Sequence, residues 1–142
     1  QSIVFREPAP AGAPPAPAPA GGNFDPSGWN AHRMLVPSET LLFRYSALTF
    51  NSHRIHYDLP YATEDEGYRG LVVHGPLTAT LLLDLAQRYL GDNNLKKFDF
   101  RGTSPAICGE PLHLALRGTF DNIELGAFAR DGRQIMAATA ES

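Results

Sequence analysis

The sequence predicts an α+β domain in which a curved antiparallel sheet wraps around one long central helix. Three features predict it: a single long helical pattern over residues 75–90, several strand-like segments after it, and a hairpin turn signal between the last two strands. Strands joined by short turns pair antiparallel, and a helix with apolar sides needs a sheet to cover them. One helix and one sheet therefore share one core.

The helix is the most clearly defined element of the sequence. Leu77, Leu81 and Leu85 recur at helical spacing, which predicts an amphipathic helix with a buried row. Pro76 suits the first helical turn, and Gly91 suits a position just beyond the last. We interpret the leucine row as core packing and not as a cofactor-binding feature.

Strand-like segments rich in apolar and aromatic residues account for most of the rest. The earliest covers residues 41–49, after a lead-in segment at 29–36. Four further strands are expected after the helix, with Asp131-Gly132 as a two-residue hairpin turn between the last two. Their expected bounds are 96–102, 112–120, 123–129 and 133–140.

Composition restricts the class of protein. The chain has 142 residues, 43% of them hydrophobic, and a net charge of −3, which fits one globular domain of ordinary size. Its 12 Lys and Arg residues are scattered, so we expect no nucleic-acid partner. No run approaches the roughly 18 apolar residues of a membrane helix. The N-terminus also lacks a signal-peptide pattern, so we expect no membrane partner and a cytoplasmic location.

The first 22 residues differ from the rest. Residues 8–22 are a tract of Pro, Ala and Gly, which predicts an extended linker. Residues 1–7 contain an Ile-Val-Phe core, which we interpret as the last strand of a preceding domain. Residues 23–142 then form the main domain, as the C-terminal part of a longer polypeptide. The alternatives are a cloning remnant or a proline-rich ligand for a partner domain.

Two short blocks carry the chemical information. Residues 51–58 read NSHRIHYD, and residues 72–77 read VVHGPL. Together they resemble the MaoC-like hydratases, also called hydratase 2. Proteins of that family carry a loop of the form D-x-N-P-x-H after a strand, and then a helix start often written H-G.

The match to this pattern is partial. His56 corresponds to the last residue of the loop, and His74-Gly75 corresponds to the helix start. Asn51 stands where the family has Asp, His53 where it has Asn, and Arg54 where it has Pro. The departure at position 51 matters most, because an amide cannot take a proton from water.

The surrounding sequence is most similar to one branch of the family: the fused hydratases of 3-methylfumaryl-CoA and itaconyl-CoA, and the mitochondrial type 2 3-hydroxyacyl-thioester dehydratases. The resemblance covers residues 37–140 and implies the hot-dog fold, with 23–142 as the catalytic domain. It also implies that residues 1–7 end a first hot-dog half. The expected partners are an acyl-CoA thioester and a second hot-dog sheet, either that N-terminal half or another copy in a homo-oligomer.

Hydrating an α,β-unsaturated thioester needs a base for the water, an acid for the α-carbon and donors for the enolate oxygen. His56 can be both base and acid, since an imidazole of pKa about 6.5 exchanges protons at neutral pH. Gly75 lies at a predicted helix N-terminus, where backbone N–H groups can stabilise the thioester oxygen. Asn51 is expected to hold the water, which leaves His56 as sole acid/base. No cofactor is expected.

Four further residues are candidates for substrate contacts. Arg54 or Arg69 could pair with the distal carboxylate of a methyl-branched dicarboxylic acyl group, while His53 and His74 flank the pocket. His74 is more often a residue that locks the loop to the helix. His53 and His56 also suggest a metal site, but zinc takes three or four protein ligands and no Cys or carboxylate cluster completes a set. We therefore predict no metal.

Four other polar residues near the motif have open roles. Asp58 either orients the His56 ring or caps a short helix after it, and we favour the cap. Ser46, Thr49 and Tyr57 could touch substrate, and the sequence does not rank them.

Three functions fit these observations. The first is hydration of an enoyl thioester, with dehydration of a 3-hydroxyacyl thioester in fatty-acid metabolism as the alternative direction. The second is a hot-dog thioesterase, which usually needs a carboxylate better placed than Asp58 or residues 64–66. The third is a non-catalytic subunit that binds acyl-CoA, a reading favoured by the amide at Asn51.

Overall fold

The computed structural model describes residues 24–91, 95–119 and 121–141. These ranges form one sheet and two α-helices, with a 3₁₀ turn at Arg54–His56 and a π-helical turn at Tyr61–Asp65 between the helices. The strands are β1 (Ala31–Leu35), β2 (Lys97–Gly102), β3 (Leu112–Thr119), β4 (Asn122–Ala129) and β5 (Gln134–Glu141), and the helices are α1 (Glu39–Leu48) and α2 (Gly75–Leu90).

The sheet has the order β1-β3-β4-β5-β2, and each neighbouring pair is antiparallel. α2 packs against β2, β3, β4 and β5. On β4, the buried residues Ile123 and Leu125 alternate with the exposed Glu124, so one face of the strand belongs to the core. Leu82 of α2 is also fully buried. The predicted antiparallel sheet around one long helix is confirmed.

The bounds of the later elements are also confirmed. α2 covers the predicted 16 residues, with Pro76 in its first turn. Gly91 ends it with a φ of 90°, and its N–H donates to the Gln87 carbonyl over 2.8 Å. This backbone region favours glycine, which explains the stop. The four strands after α2 agree with their predicted bounds to within one residue at each described end.

The strand predicted at 41–49 is wrong, because these residues form helix α1. The Ser38 side chain accepts a hydrogen bond from the Leu41 N–H over 3.1 Å and caps the first turn, where Glu39 faces the positive helix end. Leu42 and Ser46 are buried four residues apart, which is helical spacing. The one β-branched residue of the helix is Thr40 in its first turn, so the apolar run after it lacks the Val, Ile and Thr residues that favour a strand.

Two smaller differences concern the sheet. Residues 31–35, expected only to lead into the domain, form β1 at the sheet edge beside β3. The two-residue hairpin turn is wrong by one residue, because Ala129 donates to the Arg133 carbonyl and encloses the three residues 130–132. Gly132 has a φ of 90° and supplies the left-handed position that such a loop requires.

Some sequence predictions fall outside the described residues, namely the strand at 1–7 and the linker at 8–22. Within the described ranges, no helix combines the length and the apolar character needed to cross a membrane.

Candidate active site

The loop after α1 brings His56 into the interior. Asn51 Oδ1 accepts the His53 N–H over 3.0 Å, a local turn that leads into the 3₁₀ turn. Ile55 is buried there, and its carbonyl accepts the Val72 N–H over 2.9 Å. This bond joins the two sequence blocks, although they are far apart in the chain.

His56 is held in one tautomer. Its ring is 7% exposed, and Nδ1 lies 2.7 Å from the Val72 carbonyl oxygen. A carbonyl only accepts, so Nδ1 carries the proton and Nε2 keeps a free lone pair. Burial lowers the pKa of His56, against the opposite effect of the Val72 hydrogen bond, and His53 lowers it further. The ring is therefore a neutral base at neutral pH.

His74 lies directly behind His56. The two rings stack with their centroids 3.7 Å apart and an angle of 19° between their planes. His74 has no exposed surface, and its Nε2 lies 2.7 Å from Ser46 Oγ. Burial, and then the neighbouring His56, lower the pKa of His74 to about 4. The site therefore contains two stacked neutral imidazoles.

Gly75 follows His74 and begins α2. A Cβ added to Gly75 would meet nothing within 4 Å, so the backbone here is open to solvent. Among the described residues, the Gly75 N–H has no hydrogen-bond partner, and Pro76 has no N–H to offer. The open N–H lies at the positive end of a 16-residue helix, which suits a developing negative charge.

A cavity of ≈390 Å³ lies against α1 and the loop that follows it. Its wall is largely apolar, and Phe43 and Phe50 on its rim are 63% and 94% exposed. None of the described residues that line it is charged. The lining residues are Phe43, Ser46, Ala47, Phe50, Asn51, Ser52 and Tyr57.

The structure brings several of the predicted site residues together. Asn51 lines the cavity, whereas His56, His74 and Gly75 are not among its lining residues. His56 stacks on His74, and Gly75 follows His74 in the chain. His53 is exposed, with its ring edge-on to His56 at 5.6 Å. Ser46, one of the three unranked candidates, is the residue that touches both the cavity and the histidine pair.

The two predicted carboxylate partners are paired within the chain. Arg54 donates to Asp58 Oδ2 through Nη2 at 2.7 Å and Nε at 3.0 Å. Arg69 Nη2 lies 2.8 Å from Glu110 Oε1. Neither arginine lines the cavity. Asp58 also accepts the Tyr61 N–H over 3.1 Å, which confirms it as a helix cap.

An antiparallel sheet around one long helix defines a hot-dog protein, and in this one a stacked histidine pair lies at the N-terminus of that helix. The chain belongs to the hydroxyacyl-thioester dehydratase type 2 family, whose sequence profile matches residues 1–108.

Two curated relatives are similar to this chain. Mesaconyl-C(4)-CoA hydratase of Chloroflexus aurantiacus is 48% identical over 99% of this chain and 49% of its own length. The mitochondrial hydroxyacyl-thioester dehydratase type 2 of Schizosaccharomyces pombe is 38% identical over 69% of this chain and 33% of its own length. The chain thus spans about half or less of these relatives.

Solved structures show the same fold. An R-hydratase from Pseudomonas aeruginosa has a TM-score of 0.69 and 19% identity, over 78% of this chain and 76% of its own. The (R)-hydratase from A. caviae has a TM-score of 0.70 and 17% identity, over 78% and 89%. At this identity the likeness establishes the hot-dog fold and nothing further.

Proposed function

We propose that this domain catalyses the reversible addition of water across the α,β double bond of an enoyl-CoA thioester. The observation that carries the proposal is the state of His56, a buried neutral imidazole whose Nδ1–H is held by Val72 and whose ring stacks beside the open N-terminus of α2. The membership of the family and the names of the two relatives support the same chemistry.

In the proposed reaction, His56 Nε2 takes a proton from water while the water oxygen bonds to the β-carbon. The double-bond electrons move toward the thioester oxygen, which accepts the Gly75 N–H. The imidazolium then returns its proton to the α-carbon as the carbonyl re-forms. Asn51 Oδ1 accepts the His53 N–H and has a second lone pair, which can accept the other hydrogen of the water.

His53 and His74 have different places in this proposal. His53 is exposed beside His56, so it can contact substrate at the mouth of the site. His74, predicted among the substrate contacts, has no exposed surface and acts through the His56 ring. It keeps that ring in place and adds no charge, because its own pKa is about 4.

We propose a small methyl-branched dicarboxylic acyl group as substrate, following the mesaconyl-C(4)-CoA named for the Chloroflexus relative. Arg54 and Arg69 are the candidate partners for its free carboxylate, and each would exchange Asp58 or Glu110 for substrate. An Arg54→Ala or Arg69→Ala variant should raise KM for mesaconyl-CoA and leave KM for crotonyl-CoA unchanged. Unchanged KM for both substrates in both variants removes this part of the proposal.

A second hot-dog sheet, from another copy or another domain, is proposed to complete the site. The apolar rim at Phe43 and Phe50 supports this, because aromatic side chains 63% and 94% exposed gain most from being covered. The acyl-CoA would then run between the two sheets. An active monomer with a single hot-dog domain would contradict the pairing.

Crotonyl-CoA and the intact protein provide the direct test. Loss of enoyl absorbance with the thioester intact indicates hydration, release of free thiol indicates a thioesterase, and no change indicates a binding subunit. His56→Ala should lower the hydration rate by roughly 10²-fold or more, as expected for loss of a general acid/base. The matched control is His32→Ala on the outer sheet face, which should keep its rate. Near-normal hydration by His56→Ala would overturn the assignment.

A further inference from the structure

Ser46 has no role in the reaction proposed above. It lies on the buried side of α1, 7% exposed, and lines the cavity together with Asn51. Its backbone carbonyl accepts the Asn51 N–H over 2.9 Å, and its hydroxyl contacts His74 Nε2 at 2.7 Å. Ser46 therefore joins the cavity to the histidine pair.

The His74 ring determines which way the Ser46 hydroxyl points. His74 Nδ1 is buried and has no hydrogen-bond partner among the described residues. A buried N–H without a partner is rarer and costlier than a buried lone pair, so the proton belongs on Nε2. Nε2–H then donates to Ser46 Oγ, which leaves the hydroxyl proton of Ser46 free for another acceptor.

Neighbouring hydroxyls show where such a proton usually goes. Thr49 Oγ1, just after α1, donates to the Tyr45 carbonyl over 2.7 Å, and Thr80 Oγ1 donates to the Pro76 carbonyl within α2 over 2.8 Å. The Ser46 hydroxyl makes no such bond within the described residues, and the His74 ring is the one hydrogen-bond partner of that hydroxyl there. Its O–H is therefore directed to the cavity side.

We propose that the Ser46 hydroxyl donates a hydrogen bond to the oxygen that is added to, or leaves, the substrate. This inference rests on the proposed hydratase function. A reacting water has two hydrogens and two lone pairs: His56 Nε2 and Asn51 Oδ1 accept the hydrogens, and one lone pair attacks the β-carbon. The remaining lone pair needs a donor, which Ser46 supplies. In dehydration the same bond stabilises charge on the departing oxygen.

Kinetics and binding of the intact protein test this role. Ser46→Ala should lower kcat for crotonyl-CoA about 10-fold, the usual effect of one positioned hydrogen bond. Butyryl-CoA, a saturated acyl-CoA that takes no water, should bind Ser46→Ala with unchanged Kd. Thr40→Ala, a matched loss of an exposed hydroxyl from the same helix, should change neither value. An unchanged kcat, or a weakened butyryl-CoA complex that indicates contact with the acyl group, would overturn the proposal.

Two further measurements keep the test decisive. If Ser46→Ala does not fold, Ser46→Cys keeps the size of the side chain with a weaker donor and should also lower kcat. Ring-nitrogen NMR of His74 should place its proton on Nε2, and a proton on Nδ1 contradicts the inference even if kinetics are unaffected. A wild-type protein that hydrates no enoyl-CoA refutes the hydratase proposal itself, and the NMR result remains separate.

Discussion

At position 51 the chain carries an amide where the motif it resembles carries a carboxylate, and this difference changes the titration expected for His56. Burial lowers the pKa of His56, and no carboxylate among the described residues of the cavity wall opposes that effect. Protonated His56 cannot accept a proton from water. The activity of the wild type should therefore fall only below about pH 6.5, the ordinary pKa of histidine.

Replacing the amide by a carboxylate tests this explanation. In Asn51→Asp, the negative charge favours the imidazolium and raises the pKa of His56, so the acid limb of kcat/KM should move to higher pH by about one pH unit. Asn51→Ala should lose rate without moving the limb. The measurement is kcat/KM for crotonyl-CoA from pH 4.5 to 9, and a limb at the same pH in Asn51→Asp and wild type would contradict the expected coupling.

The predictability of the site residues depends on how locally each is determined. Asn51, His56 and Gly75 became candidates from the sequence because the two short blocks carry them, and their roles stay predictions. The contact of Ser46 with His74 spans 28 residues, and the helix that presents Ser46 was predicted as a strand. The sequence therefore named Ser46 as a candidate but did not rank it above Thr49 and Tyr57. Arg69 and Glu110, 41 residues apart, form an ion pair for which the sequence likewise has no local signal.

At the scale of elements, α1 shows how capping decides between helix and strand. An apolar run with two aromatics is typical of a strand, yet Ser38 and Glu39 mark a helix start before it. Leu42 and Ser46 then point to the interior and leave Phe43 on the cavity rim. In a strand, every second residue would point inward. In the helix, Leu42 and Ser46 share one face because they are four residues apart, and this places Ser46 against His74.

The cap can be tested through stability. Ser38→Ala removes the acceptor for the Leu41 N–H and should lower the free energy of unfolding by about 1 kcal/mol. Ser38→Asp keeps an acceptor and adds a favourable charge at the helix N-terminus, so it should stay within a few tenths of a kcal/mol of wild type. Urea denaturation measures both variants, and equal stability of the two would show that the cap contributes nothing.

For the whole molecule, the sequence predicted the elements better than their arrangement. Periodicity and turn residues place α2 and the strands after it, because each is determined within its own segment. The order β1-β3-β4-β5-β2 depends on pairings such as Ala31 with Leu116, which no local pattern specifies. Docking of residues outside regular elements is equally non-local: Phe24 stacks on His113 at 4.9 Å and on Phe128 at 4.8 Å.

The outer face of the sheet carries a pair of histidines. His32 Nε2 lies 3.0 Å from His113 Nδ1, so one ring must donate and the other accept. Burial lowers the pKa of His113, and His32 lowers it further. Together with His56 and His74 inside, the folded protein thus contains three histidines that resist protonation.

The stability of the fold should consequently fall on mild acidification. In the folded protein the pKa values of these three histidines lie below the ordinary value of about 6.5, and the pKa of His74 is about 4. Below about pH 6.5 the unfolded chain therefore binds more protons than the folded protein does. Stability should be full above that pH and be lost progressively as the pH falls from there through about 4. Melting temperatures at pH 7.5 and 5.5 should differ by several degrees.

His113→Phe keeps an aromatic ring against Phe24 but cannot titrate, and it should reduce that difference while leaving hydration of crotonyl-CoA unchanged. A melting temperature that rises toward pH 5.5, or an undiminished difference in His113→Phe, would contradict this account.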